Sequence, residues 1–305
     1  MTNLEAPIFN IVHGSSVDGW GVRTTIFLKG CPLRCNWCCN PEGQRKNIEL
    51  KYTSDDCNGC GNCTPACPKG AISMAGENKN IVEIDRTLCD DCLLCVDSCY
   101  VNALSSFGKM YTVDEIFKEI ERDQSYYGAE GGLTIGGGEA TIYPEFTLEL
   151  IKKCQASYIH NALDTCGYIK SEIGMKCLEE ADLVLFDIKG LDCATHLDGT
   201  GVENELILDN LRFRNSLGKE IIIRIPLIPG YTDGKENLEK TAELLAGLNS
   251  VKRVDLIPFH KYSEIKYRQL GWSLPDVFKE NFPLEREIPV RDLFLAYGLN
   301  AQIGG

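Results

Sequence analysis

The sequence predicts an α/β protein built on a parallel sheet with helices outside it, interrupted early by a separate cysteine-rich segment. Three observations carry this. From residue 107 onward, strand-like runs at 133–135, 159–163, 183–187, 220–225 and 254–257 alternate with helical stretches near 145–157, 170–180, 203–217 and 234–248. With the β-branched run Thr24-Thr25-Ile26-Phe27-Leu28 this makes six β/α units, the pattern of a parallel sheet. Residues 47–106 hold eight of the 16 cysteines in two evenly spaced runs. A chain of 305 residues has room for one large α/β domain and a smaller module.

Composition excludes several functions. Hydrophobic content of 44% and charged content of 25% are those of an ordinary soluble globular protein. No apolar run approaches the roughly 20 residues needed to span a bilayer. Met1-Thr2-Asn3-Leu4-Glu5 shows no basic region followed by an apolar core, so no secretory signal and no membrane association are expected. A net charge of −13 argues against binding a nucleic-acid backbone. Sixteen cysteines in a secreted chain would suggest disulfides, but nothing points to export. Eleven fall into three tight clusters; Cys39, Cys154, Cys166, Cys177 and Cys193 are scattered, most of them as small buried hydrophobes. The expected setting is therefore reducing, cytoplasmic and anaerobic.

Taken in order, the chain first reaches a tight turn at Asp18-Gly19-Trp20-Gly21. The strand 24–28 then runs into Gly30-Cys31-Pro32-Leu33-Arg34-Cys35-Asn36-Trp37-Cys38. Cys31, Cys35 and Cys38 can put three thiolates on one iron–sulfur cluster, whereas an ordinary four-iron cluster takes four cysteines. Cys39, directly after Cys38, is poorly placed to reach another iron. One iron is thus left open, the mark of a catalytic rather than a structural site. Zinc or a disulfide cluster is the alternative.

Within 47–106, Cys57-x2-Cys60-x2-Cys63-x3-Cys67 is repeated 32 residues later as Cys89-x2-Cys92-x2-Cys95-x3-Cys99. This is the two-cluster ferredoxin run, in which the fourth cysteine of each set ligates the other cluster. One cluster is expected on Cys57, Cys60, Cys63 and Cys99, the other on Cys89, Cys92, Cys95 and Cys67; two zinc knuckles are the alternative. A module of about 60 residues with so few aliphatics depends on its metals to stand. Beyond it, 113–120 reads as an amphipathic helix with Thr112 as N-cap.

These motifs together resemble the radical S-adenosylmethionine (SAM) superfamily, whose signature is the C-x3-C-x2-C spacing with an aromatic, here Trp37, before the third cysteine. From about Ile8 to about Gly271 the chain is similar to the activating enzymes of glycyl radical enzymes. The resemblance implies a partial (β/α)6 barrel over 1–46 and 107–305, an inserted ferredoxin-like domain over 47–106, and chemistry at the C-terminal ends of the strands. It also implies that the open iron chelates SAM, and that one electron cleaves SAM to methionine and a 5′-deoxyadenosyl radical.

Carried over residue by residue, Gly137, Gly138 and Glu139 match the Gly-Gly-Glu that binds the methionyl amino group. Asp164-Thr165-Cys166-Gly167 resembles Asp-Thr-Asn-Gly, and Asp187-Ile188-Lys189 reproduces Asp-x-Lys. Lys189 thereby pairs with the SAM carboxylate, while Asp187, Asp164 and Thr165 shape a cation or polar site beside it. Arg224 opens Arg-x-Pro-x-Ile-Pro-Gly. His260 ends a Leu-Pro-Phe-His-like stretch, and its implied contact is the ribose or adenine of SAM. The stretch His196 to Gly201 matches the family without a chemical role. Asp18, Gly19, Trp20 and Gly21 stand where the family has Asp-Gly-Pro-Gly, beside the partner's glycine segment, with Trp20 as an expected aromatic anchor. Trp20 for Pro, Ala140 for Pro and Cys166 for Asn are departures.

The leading expectation is an enzyme with three 4Fe-4S clusters that abstracts hydrogen from a glycine Cα of a partner glycyl radical enzyme. The insert clusters would relay or tune electrons from a flavodoxin or ferredoxin. The partner class spans dehydratases, lyases and decarboxylases; the stretch 98–103 is similar to activators of arylacetate decarboxylases. A radical SAM enzyme acting on a small molecule is a second reading. A non-enzymatic polyferredoxin is a third, and it leaves the motifs after residue 107 unexplained.

Overall fold

A computed structural model describes residues 4–76 and 80–304. Two antiparallel strands, β1 (Glu5–Ser15) and β2 (Arg23–Leu28), flank the 16–22 loop. The cysteine-rich segment follows with β3 (Glu49–Tyr52), α1 (Cys63–Ala66), β4 (Ile72–Ala75), β5 (Ile81–Ile84) and β6 (Leu104–Phe107). Next come β7 (Lys109–Thr112), α2 (Val113–Asp123), β8 (Gly132–Gly137), α3 (Pro144–Ala156), β9 (His160–Thr165) and α4 (Glu172–Glu180). The chain continues through β10 (Leu183–Asp187), α5 (Cys193–Thr200), α6 (Glu205–Ser216), β11 (Ile221–Leu227) and α7 (Lys235–Ala246). It closes with β12 (Val251–Pro258), α8 (Glu264–Leu270), α9 (Leu284–Ala296) and β13 (Ala301–Ile303).

The main sheet has the order β13-β12-β11-β10-β9-β8-β2-β1-β7. Every pairing from β2 to β13 is parallel, and β1 and β7 add an antiparallel margin. The sheet is open, since β13 and β7 each pair on one side only. The sequence expected six parallel strands; β13 is the seventh, and three residues are too short a run to show a period. The strands β10 and β11 are buried almost throughout, as parallel strands covered on both faces must be. Thr112 and Glu115 form a reciprocal capping box at the start of α2, satisfying two donors that a bare helix end leaves unpaired. Among the described residues no helix is long and apolar enough to cross a membrane.

The cysteine-rich segment packs around its own small core of Leu50, Cys63, Ile72, Val82, Cys95 and Leu104. Its first and last strands, β3 and β6, pair antiparallel, so the segment leaves and rejoins the chain at adjacent points. It is fastened to the main sheet by an ion pair with no solvent access. Lys29 Nζ lies 3.1 Å from Glu49 Oε2 and donates to the Glu42 carbonyl at 2.5 Å. Burial pushes Lys29 down and Glu49 up in pKa, and each charge opposes the shift of the other.

Breaking a buried pair strands a charge, at a cost of about 3–5 kcal/mol. Glu49→Ala is therefore expected to lower stability in chemical denaturation by about 3 kcal/mol, with Lys29→Met/Glu49→Leu recovering most of it. A loss below about 1 kcal/mol in the single variant would mean the pair behaves as a solvated surface bridge.

Candidate active site

The segment from Lys29 to Asn40 has neither helix nor strand, so its backbone groups need partners elsewhere. Gly30 and Cys31 N–H donate to Gly43 and Gln44 carbonyls at 2.8 and 3.1 Å, and Arg34 and Asn36 N–H to Thr200 and Gly199 carbonyls at 2.7 and 2.9 Å. Trp37 is buried, its ring 5.0 Å from that of Tyr231. Its other neighbour is the C-terminal turn of α5, where a Cβ at Gly199 would come within 2.7 Å of the indole. This supplies a role for the 196–201 stretch: it is the floor under the cysteine loop, and His196 holds the turn by its contact with the Val202 carbonyl at 2.7 Å.

So held, Cys31, Cys35 and Cys38 line one cavity of about 230 Å³. Seven of the ten residues expected at a cofactor line the same space: Trp37, Gly137, Gly138, Asp164, Asp187, Lys189 and Arg224. The other three lie off its wall. The buried Glu139 carboxylate accepts from Thr141 N–H, Thr165 Oγ1 and Cys166 N–H at 3.0, 2.9 and 2.8 Å. Glu139 and Thr165 thus stitch the loop after β8 to the loop after β9 from behind the cavity. His260 is exposed and stacks on Tyr262 at 4.5 Å. Gly138 is obligatory, because a Cβ would meet the Gly43 and Gly30 carbonyl oxygens at 2.2 and 2.4 Å.

Burial drives the Cys38 thiol up to about 12, and Cys35 is also raised by burial. A cation must offset that cost for either to bind as thiolate. Cys166, in place of the expected asparagine, lies against Cys31; their contact lowers Cys31 and raises Cys166.

Beneath the cysteines runs a charged layer. Asp187 is opposite Arg224 in the β10–β11 register, and Arg224 is opposite Asp255 in β11–β12. Lys189 Nζ is 2.5 Å from Asp187, and Arg224 is 3.0 Å from Asp164 and 3.8 Å from Asp18. Burial works against the charge on Arg224, yet Asp164, Asp187 and Asp18 raise its pKa; Lys189 is raised by Asp187 in the same way. Burial also pushes Asp164 up to about 7, with Arg224 opposing and Asp187 and Asp18 adding repulsion. Both partners of the Asp164–Arg224 pair are therefore raised, Asp164 by burial first and Arg224 by the three carboxylates around it. Arg224 Nε is buried without a partner among the described residues.

The layer below closes the other end. Trp20, expected to present its ring to a partner, is half-buried and packs on Ala162, Leu183, Leu185 and Ile222 towards the N-terminal ends of the strands. Its Nε1–H donates to Glu220 at 3.1 Å, and the Arg253 guanidinium sits 4.5 Å over the ring. Asp18 and Gly19 are buried in the same plug, Asp18 accepting from Ser15 and Thr25 hydroxyls, while the backbone of Gly21 lies on Gly131. The physical reason is that an open end of the sheet leaves apolar strand residues to be covered, and Trp20 covers them. Arg253 and the fully buried Asp255, bonded at 2.7 and 2.8 Å, complete the layer and were missed in the sequence.

In the 47–106 segment, Cys57, Cys60, Cys63 and Cys99 line one apolar cavity. Cys67 lies with Cys89, whose pKa burial raises and to which Cys67 adds, while burial raises Cys95, to which Cys89 and Cys92 add. Backbone N–H groups donate to sulfur in both sets, Ala71 to Cys67 at 3.3 Å and Leu104 to Cys99 at 3.4 Å. All sixteen cysteines are free, and among the described residues no three His, Cys, Asp or Glu converge on a single-ion site. Thiols grouped in fours with N–H donors to sulfur fit iron–sulfur clusters. Cys154 and Cys177 are core residues, as expected.

The sign of the Asp164 effect follows from its raised pKa. A carboxyl at about 7 when folded and 3.8 when unfolded stabilises fully below about pH 4, and that contribution is lost as pH rises through 7. In SAM-free protein Asp164→Asn should flatten the fall in stability between about pH 4 and 7, worth up to roughly 4 kcal/mol in the native chain. Parallel pH profiles in the two proteins would show that Asp164 stays ionised.

Comparisons with known proteins agree with this geometry. A family model described as Radical SAM superfamily matches residues 98–245, and one described as 4Fe-4S dicluster domain matches 56–103. The choline trimethylamine-lyase activating enzyme of Oleidesulfovibrio alaskensis is 40% identical over 279 residues, 90% of each chain. The 4-hydroxyphenylacetate decarboxylase activating enzyme of Clostridioides difficile is 36% identical over 308 residues, 99% of this chain and 96% of that one. The structure of Streptococcus suis SuiB bound to precursor peptide SuiA shares the fold, with a TM-score of 0.54 at 13% identity over 90% of this chain and 46% of that one.

Proposed function

The chain belongs to the activating enzymes of glycyl radical enzymes, within the radical SAM superfamily, and on that premise we propose that its cavity installs a radical on a glycine Cα of a partner glycyl radical enzyme. The observation that carries this is the convergence of Cys31, Cys35, Cys38, Lys189 and Arg224 on one cavity. We read the open parallel sheet of 1–46 and 107–305 as a partial (β/α)6 barrel, and 47–106 as a ferredoxin-like insert.

Cys31, Cys35 and Cys38 would hold a four-iron cluster by three thiolates, leaving one iron for SAM; Cys57, Cys60, Cys63 and Cys99, and Cys89, Cys92, Cys95 and Cys67, would hold two more. When bound, cluster and SAM supply a one-electron reductive cleavage whose radical product takes the glycine hydrogen. The chain's own residues bind, orient and keep water out. Lys189 offers a cation to the SAM carboxylate, and Arg224 has a buried N–H free for a further acceptor. Asp164 and Asp187 favour a cationic group beside them. Gly137 and Gly138 let the backbone come close, with Glu139 and Thr165 setting their loop from behind. Trp37 and Tyr231 seal the side next to α5. No general acid or base is needed, since the bond changes are homolytic.

A flavodoxin or ferredoxin is the proposed electron donor, and sixteen free cysteines fit a reducing cytoplasm. Activating enzymes similar to this chain at 36–40% identity are named for lyases and for a decarboxylase. The partner is accordingly proposed at the level of the glycyl radical enzymes.

Anaerobically reconstituted protein should carry about twelve irons per chain. Changing Cys31, Cys35 and Cys38 together to Ala should leave about eight irons and abolish release of 5′-deoxyadenosine from SAM. Cleavage that survives the triple change would refute the assignment, as would zinc in place of iron in the insert.

A further inference from the structure

The two cysteine quartets of the insert are not equivalent in their distance from the cysteine loop, and the chain path shows which is nearer. Gln44, whose carbonyl accepts from Cys31 N–H, leads through Asn47 into β3. Asn47 Nδ2 and Leu50 N–H both donate to Asp91, at 3.1 and 2.9 Å, and the Cys89 thiol is 3.9 Å from the same carboxylate. The Cys89 set thus sits at the start of β3. Tyr52, at the far end of β3, lines the cavity of Cys57, Cys60, Cys63 and Cys99. A strand advances roughly 3.3 Å per residue, so the Cys57 set lies further out.

Arg86 stands on the inner side of the Cys89 set. One of its N–H groups donates to the Leu50 carbonyl at 2.8 Å, and another to the Gln269 carbonyl at the end of α8 at 2.9 Å. Burial lowers its pKa, and Cys89, Asp91, Glu49 and Cys95 around it oppose that shift. At Gly271 a Cβ would meet Arg86 Nε at 2.9 Å, so the α8 terminus is shaped to the guanidinium. The helix α8 is in turn bonded to the cysteine loop, with Tyr267 Oη–H donating to the Cys38 carbonyl at 3.0 Å and Lys266 Nζ to Asn40 Oδ1 at 2.7 Å. One short helix therefore touches both the radical-site loop and the cation beside Cys89.

We propose that Cys67, Cys89, Cys92 and Cys95 form the inner relay site of the insert and that Arg86 is its positioning residue, fixing that site against α8 and raising its reduction potential. This rests on the reading of the insert as cluster-bearing given above. One electron moves inward per event: a flavodoxin- or ferredoxin-class reductant is oxidised by one electron through the outer and then the inner site. The group on Cys31, Cys35 and Cys38 gains that electron. A fixed cation near the inner site favours its reduced, more negative form, and a bidentate guanidinium holds the geometry better than a point charge.

The test is electron paramagnetic resonance of the reconstituted, fully reduced protein. The signal of the cluster on Cys31, Cys35 and Cys38 should be broadened by its nearest reduced neighbour. Cys92→Ala should remove that broadening and Cys60→Ala should leave it; the reverse pattern overturns the order. In a potentiometric titration Arg86→Gln should lower the midpoint of the signal that disappears in Cys92→Ala and move no other. Arg86→Lys should return it towards the native value. No shift in Arg86→Gln, or a shift of the signal lost in Cys60→Ala, overturns the role of Arg86. Failure of the functional reading looks different: the native protein would then lack the Cys31–Cys35–Cys38 signal altogether.

Discussion

Everything at the candidate site depends on hydrogen bonds between backbones that belong to no helix or strand ladder. Three sulfurs drawn from eight consecutive residues must face one space, and a loop cannot hold them there by itself. Two other segments do it, the 43–44 turn on one side and the C-terminal turn of α5 at 199–200 on the other. Each needs glycine at the point of approach, Gly138 against the first and Gly199 against the indole of Trp37. The sheet's contribution is indirect: it fixes the origins of these segments, and short-range bonding does the rest.

A second constraint is electrostatic. Asp18, Asp164 and Asp187 share a pocket with Arg224 and Lys189, and this imbalance is sealed from below by Trp20, Arg253 and Asp255. Buried charges persist where they are paired or where a ligand completes them. A ligand with one ammonium and one carboxylate, as in the methionyl end of SAM, can interact with both signs of this pocket. That is a reason for such residues to be kept unbalanced in a part of the protein where an apolar core would be more stable.

How far the sequence could be read follows the range of the interactions. Cysteine spacing is local, so the triplet and the two quartets were visible, as were the alternating strands and the Thr112–Glu115 cap. Asp187 and Lys189 were legible too as an Asp-x-Lys motif, although β10 ends at Asp187 and Lys189 lies two residues past it. What escaped depends on contacts between distant segments. The packing of Trp20 requires knowing that strand residues 162, 183, 185 and 222 leave a gap. The floor made by α5 depends on a loop packing against a helix some 160 residues away in the chain. Glu139 carries the family's motif, but only the fold shows that its oxygens are used by Thr141, Thr165 and Cys166. Nothing in the local sequence marks the Arg253–Asp255 pair, whose place follows from the burial of Asp255.

The pairing of β3 with β6 has a consequence for how such a chain could be built up over evolutionary time. Glu49 faces Phe107 across the ladder, so the segment between them begins and ends about 5 Å apart. A gap that small is bridged by a tight turn, and neither the register of the main sheet nor the cysteine loop has to move. The cysteine-rich segment could thus behave as a cassette, gained or dropped in one event by a gene encoding the parent sheet. Its presence leaves a trace on the host side: Lys29, fully buried, has its counter-charge on Glu49, the first residue of β3. A lineage that discarded the cassette together with Glu49 would have to replace that lysine as well.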